Sequence, residues 1–452
     1  MGRSIQERPT VSPATFFHRL SNRHYSITPQ SMRRHQLDAQ GREVNVVEKP
    51  ISLAIGSGNH AITYASRTPR GLLLELPLSW YRKLNGFAMS PGYDSPAHQD
   101  FRREISASCL FCHSNSATPA PIDCQRCHGD AIAHAARPSK SNIHNPRRNV
   151  EVCLQCHLET TSRGIPDSMR QSGREAFSYR PGEPLVRYKL YFDRADTQST
   201  DRFEINHAGF RLLQSRCFTE SKGGLTCISC HDPHSARVRA RACQQCHNSS
   251  HVRDASPDCA SCHMPKRTAS DAIHTTMTDH KIQRVPRFIN PTREDQVPYA
   301  GPVVPFFTKA DALSLAIVNI RDANEESVQL YRRHLLRAPG DEAARISLAK
   351  MLLRLNRPSE VAPILARAVT ADALQTLAVS YAVQGHHQRA KELLERALLR
   401  NPDHTLSWIN LGITLDAMKD QVKALAAFEE AVRLQPDSSE ARQYVQHLRQ
   451  RQ

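Results

Sequence analysis

Between Cys109 and His263 the sequence writes Cys-x-x-Cys-His six times: Cys109/Cys112/His113, Cys124/Cys127/His128, Cys153/Cys156/His157, Cys227/Cys230/His231, Cys243/Cys246/His247 and Cys259/Cys262/His263. A bare Cys-x-x-Cys also serves half a zinc site or a redox dithiol, but a His directly after the second Cys is what c-type haem attachment adds. Two thiols three residues apart reach the two vinyl groups of one porphyrin, and the next imidazole becomes the proximal ligand of the iron. His supplies 23 of 452 residues, so six Cys pairs each followed by His by chance has odds on the order of ten to the minus eight.

Zinc would take four ligands per metal and has no use for a fixed trailing His. Disulfides suit the pattern no better, because all twelve motif cysteines stand as pairs at one tight spacing. Six covalent haems c, with iron, are therefore expected, and their bulk suits a chain only 39% hydrophobic and 6% aromatic, lean for a conventional core of this length. The formal charge of +16 is offset in large part by haem propionates. No Lys/Arg run interleaves with aromatics, so nucleic acid is not an expected partner.

Haem attachment of this kind takes place outside the bacterial cytoplasm, so an exported, periplasmic protein is expected. Residues Met1 to Pro9 begin with charge, but no apolar stretch of signal-peptide length follows. The expectation is that the N-terminus is truncated. No run of apolar residues is long enough to span a membrane.

Along the chain, residues 1–44 are polar and basic, with Phe16-Phe17 and Tyr25-Ser26-Ile27 as apolar clusters that suggest a short hairpin. Residues 45–282 form the expected multihaem domain: irregular, mainly helix and coil around the haems, with a few short strands. The apolar runs Ile51–Gly58 and Gly71–Tyr81, bounded by Gly and Pro, read as buried strands. Alternation at Tyr188–Phe192 reads as a strand before a possible helix. Five prolines between Pro286 and Pro305 mark residues 283–307 as a linker or surface strap.

After the linker, residues 308–452 turn helical and repeat. Trp408, Leu411, Gly412, Leu415, Ala424, Phe428, Ala431 and Pro436 stand 34 residues after Leu374, Leu377, Ala378, Tyr381, Ala390, Leu394, Ala397 and Pro402, the tetratricopeptide (TPR) period. Small residues at 378/412 and 390/424 permit close helix crossing. Looser copies run 342–370 (Leu348, Ala349, Leu352, Leu365, Ala368) and from about 308 to Pro339, and residues 437–452 read as a capping helix. The fold expected is thus multidomain, an all-α TPR solenoid following the haem domain.

Together the halves resemble the multihaem c-type cytochromes of the cytochrome c-554 and nitrite reductase lineage that carry C-terminal TPR repeats. The resemblance rests on the six haem motifs and on Gly56-Ser57-Gly58-Asn59-His60, Leu76-Pro77-Leu78-Ser79-Trp80-Tyr81, Met89-Ser90-Pro91-Gly92-Tyr93, Asp123 to Gly129, Phe177 to Gly182, Cys230-His231-Asp232-Pro233-His234 and Cys262 to Lys266. It covers roughly residues 45–450. Such proteins begin with an export signal and a further haem motif, neither of which is written here.

The sixth coordination position of each iron needs a second ligand if the haem is to be saturated and low-spin. Candidate distal ligands are His60, His134, His144, His234, His274 and His280. His234, behind a Pro and three residues past His231, points towards a neighbouring haem, as the resemblance also implies. His98, His207 and His251 read as surface or hydrogen-bonding residues, Met264 as porphyrin packing, and Cys217 as a buried thiol. Three functions follow: electron transfer between protein redox partners docked partly through the TPR domain, which is preferred; reduction or oxidation of a small nitrogen compound at an open haem; and a TPR scaffold with redox-sensing haems. No Lys replaces a proximal His in any of the six motifs, so the sequence names no catalytic residue.

Overall fold

In the computed structural model the described residues are 4–451, without 131, 140–142, 144–148, 159–167, 172, 197–200, 236, 240, 241, 248–258, 286–298 and 300. Strands open the chain: β1 (Ile5–Glu7), β2 (Ala14–His18), β3 (Arg23–Ile27), β4 (Ser31–Leu37), β5 (Glu43–Pro50), β6 (Leu53–Ile55), β7 (Ala61–Arg67), β8 (Leu73–Tyr81) and β9 (Gly86–Met89). They form a four-stranded antiparallel meander, β2-β3-β4-β5, and a five-stranded antiparallel sheet, β1-β6-β7-β8-β9. Tyr25, Ile27, Met32 and Val47 from the first sheet share one core with Ala54, Tyr64, Leu76, Leu78 and Met89 from the second.

This corrects the expectation of an irregular, mainly helical haem region preceded by at most a hairpin. β1 pairs with β6 through Ile5↔Ile55, so the first residues belong to the same sheet as the apolar runs read as strands. The reason is physical. The inward positions of β3 and β4 alternate as strands should, but two of them are Arg23 and Arg34, 1% and 0% exposed, and charge at a core position hides the period-2 signal.

The middle of the chain carries short helices: α1 (Ala107–His113), α2 (Gln125–His128), α3 (Ile132–Ala136), α4 (Glu151–His157), α5 (Ala208–Leu213), α6 (Arg216–Glu220), α7 (Cys227–Cys230) and α8 (Cys259–His263). Strands β10 (Ser168–Arg170), β11 (Lys189–Arg194) and β14 (Val303–Phe306) make a three-stranded sheet, and β12 (Lys266–Thr268) pairs with β13 (Thr276–Thr278). The expected strand at Tyr188–Phe192 is β11, and the end of the proline-rich 283–307 stretch, β14, pairs with it through Tyr191↔Phe306.

Helices α9 (Ala312–Val318), α10 (Glu325–Arg337), α11 (Glu342–Arg354), α12 (Val361–Ile364), α13 (Ala371–Val383), α14 (His387–Arg400), α15 (Thr405–Ala417), α16 (Gln421–Leu434) and α17 (Ser439–Gln450) form the C-terminal solenoid. Side chains of Asp341, Thr370 and Ser438 accept backbone N–H bonds at the starts of α11, α13 and α17, satisfying donors that a helix start leaves unpaired. Ala378, Ala390, Ala424 and Ala431 are fully buried. A Cβ on Gly412 would stand 2.7 Å from the Phe428 ring, so the small residue is what lets α15 and α16 cross. The starts of α11, α13, α15 and α17 are spaced 29, 34 and 34 residues apart. The looser copy is thus five residues short, and the loss falls on α12, where Pro358 and Pro363 restrict helix formation.

The solenoid sits on the first sheet through buried charge. Arg34 donates from Nε to Asp100 at 2.7 Å and from Nη2 to the carbonyls of Arg433 and Leu434 at 3.2 Å, the last residues of α16. A cation there meets the helix's negative end. Arg23 bonds Asp437 at 2.6 Å, Lys49 pairs with Asp403 at 2.5 Å, and Arg102 reaches Gln435 at 2.8 Å. No helix among the described residues is long and apolar enough to cross a membrane.

Candidate functional site

All six motifs fold as a helical turn: on α1, α2, α4, α7 and α8, and on a 3-10 turn at Ala242–Gln245. A turn places residues i, i+3 and i+4 on one side, so each pair of thiols and its following His are grouped while the intervening residues point elsewhere. On α1 the intervening Leu110 and Phe111 are buried while Cys109 is exposed.

The second intervening residue of two motifs does the anchoring. Arg126, between Cys124 and Cys127, lies buried with its guanidinium 4.7 Å from the Phe111 ring centroid and donates to the Ser114 carbonyl at 2.7 Å. Gln155, between Cys153 and Cys156, donates to the Arg126 carbonyl at 3.2 Å. These bonds fasten α1, α2 and α4 to one another. α5 closes against α4 at Gly209, where a Cβ would fall 2.4 Å from the His157 carbonyl oxygen, and Asn206 donates to the Cys156 carbonyl at 2.5 Å. No sequence pattern assigned these anchoring roles to Arg126, Gln155, Asn206 or Gly209.

Thiols of different motifs meet. Cys156 is hydrogen-bonded to Cys112, and that bond together with burial pushes its thiol well up; Cys153 is likewise bonded to Cys227. No disulfide joins any of the thirteen cysteines, and Cys217 is partly exposed. The twelve motif cysteines are Cys109, Cys112, Cys124, Cys127, Cys153, Cys156, Cys227, Cys230, Cys243, Cys246, Cys259 and Cys262.

The histidines pair across motifs. The rings of His128 and His234 are parallel to within 1° with centroids 6.1 Å apart, and those of His231 and His280 stand 6.0 Å apart at 29°. Two imidazoles on one metal are separated by two bonds of about 2 Å each plus a ring radius on either side, which comes to the same distance. His234 thus faces the His of another motif, His128. His280 Nδ1 lies 3.0 Å from the Thr278 carbonyl and His263 Nδ1 2.7 Å from that of Gln283, the backbone bond that turns the opposite nitrogen outward for a metal. Asp279, beside His280, is clamped by Arg211 at 2.6 Å and Arg267 at 3.0 Å.

The other candidates are placed differently. His274 bonds Asp94 through Nε2 at 2.8 Å and packs against Tyr81. His134 Nδ1 lies 3.0 Å from the Ser139 carbonyl on α3. His60 precedes β7 beside the backbone of Thr276, and burial lowers its pKa. Burial also lowers those of His113 and His157. His247 ends its motif on the exposed side, and His144 lies outside the described residues, as does His251. His98 and His207 are 3% and 1% exposed, not surface residues. His98 hydrogen-bonds Arg23 at 3.1 Å, and the His207 Nδ1 accepts from the Glu204 N–H at 3.1 Å.

From Arg216 to Met264, Thr226 is the only buried residue among those described. A stretch with so little internal burial does not offset its own ordering entropy. No group of three or more His, Cys, Asp or Glu side chains converges among the described residues; the paired rings would suit a haem iron, which takes two ligands at most from protein.

Residues 376–439 match the tetratricopeptide repeat family model. No curated protein matches the chain. Among solved structures, the chain is similar to MamA (21% identity over 27% of this chain and 75% of that one, TM-score 0.26). It is also similar to the Sgt2 TPR domain from Aspergillus fumigatus (18%, 25% and 79%, TM-score 0.24) and to the Arabidopsis OM64 TPR domain (15%, 24% and 93%, TM-score 0.23). The C-terminal region is a TPR solenoid, an architecture whose extended surface docks other proteins.

Proposed function

We propose that the chain is a multihaem c-type cytochrome that passes electrons between protein partners, one of them docked on the TPR solenoid, in an exported compartment. The observation that carries this reading is the pairing of His128 with His234 and of His231 with His280 at 6.1 and 6.0 Å within a stretch that writes Cys-x-x-Cys-His six times. Bound haem supplies reversible one-electron chemistry at iron. The chain's own part is to hold, orient and crowd. The twelve motif cysteines would carry the porphyrins, with His113, His128, His157, His231, His247 and His263 as proximal ligands. His234 and His280, which face the rings of His128 and His231, would hold the haems of the second and fourth motifs from the other side.

Thiol contacts between motifs, Cys112 of the first with Cys156 of the third and Cys153 of the third with Cys227 of the fourth, bring these sites close, which suits transfer along a chain of centres. The Asp279–Arg211–Arg267 cluster fixes the backbone beside His280. The test is to express the chain with an export leader and haem-attachment machinery, count haem as the pyridine haemochrome, and record low-temperature EPR. About six low-spin haems per chain is the expected result. A high-spin ferric signal that shifts with nitrite or hydroxylamine would move the assignment to small-nitrogen chemistry, and absence of covalent haem would remove it.

A further inference from the structure

The short α12 has a consequence for the solenoid surface. Where α14 and α16 each run 14 residues, α12 runs 4, and beside it opens a groove of about 930 Å³ between α12 and the α13–α14 hairpin. Its floor is apolar, from Ala362, Leu377 and Leu393. Its wall is basic: Arg389 lies over the Tyr381 ring at 4.5 Å, and Arg396 follows two turns along α14. The acid in the lining, Glu392, accepts from Gln388 at 2.9 Å.

The groove continues past Arg396 into a second hollow of about 130 Å³ that adds Arg400 and, from the β7–β8 turn of the other half, Arg70. Among the described residues no carboxylate lies in ion-pair reach of Arg70, Arg396 or Arg400. Unpaired arginines around an apolar floor complement a partner that brings negative charge and an apolar side chain together.

We propose that this groove docks an acidic segment of the partner protein, one that seats an apolar side chain on Leu377 and Leu393 while its carboxylates meet Arg389, Arg396, Arg400 and Arg70. The proposal rests on the reading of the solenoid as the docking half. Because Arg70 belongs to the other half, an occupant spans both. The full chain would be titrated by calorimetry with a synthetic Glu-rich peptide bearing Leu and Phe, and with its Lys-rich counterpart. The Glu-rich peptide binds, more weakly at higher salt, and slows hydrogen exchange in α13 and α14; Arg389→Glu with Arg396→Glu weakens it about tenfold or more. Both arginines are exposed, so the double variant keeps its helical melting curve, and Arg442→Glu on α17 binds as the parent does. Equal binding of the two peptides, no binding of either, or an unchanged double variant would overturn the proposal. Protection confined to α15–α17 would overturn the groove yet leave docking on the solenoid standing, and the haem count is independent of every outcome.

Discussion

The solenoid and the haem-motif stretch solve the same problem in opposite ways. In α11 to α17 nearly every turn buries an Ala or Leu against the next helix, and one cluster links Val328 to Leu448. Between Arg216 and Met264 helices of four or five residues stand with hardly a buried side chain, and helices so short are marginal alone. The first region is held by its own sequence. On the proposed reading the second would be held by the haems its cysteines and histidines carry, and its order would depend on covalent loading.

The largest effect expected is therefore on removing the haem. Chain made without attachment machinery should lose the 216–264 stretch to limited proteolysis while a fragment containing α11–α17 persists; equal survival of both would break the contrast. Next is the junction. Asp100→Ala leaves Arg23 and Arg34 buried without their shared carboxylate, which costs about 3–5 kcal/mol, and chemical denaturation should show both halves weakened together.

Acid should separate the two halves. Burial lowers the His98 pKa to about 3 against the counteracting Asp100, with Arg23, His18 and Arg102 adding to the fall. Between about 6.5 and that value the unfolded chain holds a proton that the folded one does not, so stability declines as pH drops through that window. In the solenoid the Asp372 carboxyl is held to about 2 by His404 and, against burial, by Lys350, so its contribution is lost only below about pH 4. Trp80 and Trp408 report one half each. Trp80 fluorescence should shift at the higher pH, and His98→Gln should flatten that difference.

The smallest effects sharpen the contrast with one substitution made twice. Gly412→Ala meets the Phe428 ring, which can tilt, and should cost about 1–3 kcal/mol without changing haem content. Gly209→Ala meets the His157 carbonyl, which cannot, and should cost at the upper end of about 1–3 kcal/mol and lower haem occupancy at the third motif.

What could be read beforehand follows the same division. The six-fold Cys-x-x-Cys-His spacing stands out residue by residue from Cys109 to His263, and a 34-residue period exposed α13 to α16. The sheets were partly hidden because Arg23 and Arg34 occupy core positions, and Arg34 meets its partners nearly 400 residues away, at Arg433 and Leu434. No local pattern encodes such a contact. His234 carried a signal in the Pro before it, whereas the partnership of His274 with Asp94, 180 residues apart, carried none.

The junction at the end of α16 also has a mechanical meaning. A domain hung on a flexible tether presents its cargo at an effective concentration set by tether length. Here Arg34, Arg23 and Arg102 grip the solenoid directly, so the connecting segment in the chain does not set the geometry. The solenoid then works as a jig: whatever it grasps is offered to the rest of the molecule at one angle and one distance, with the search already completed during folding.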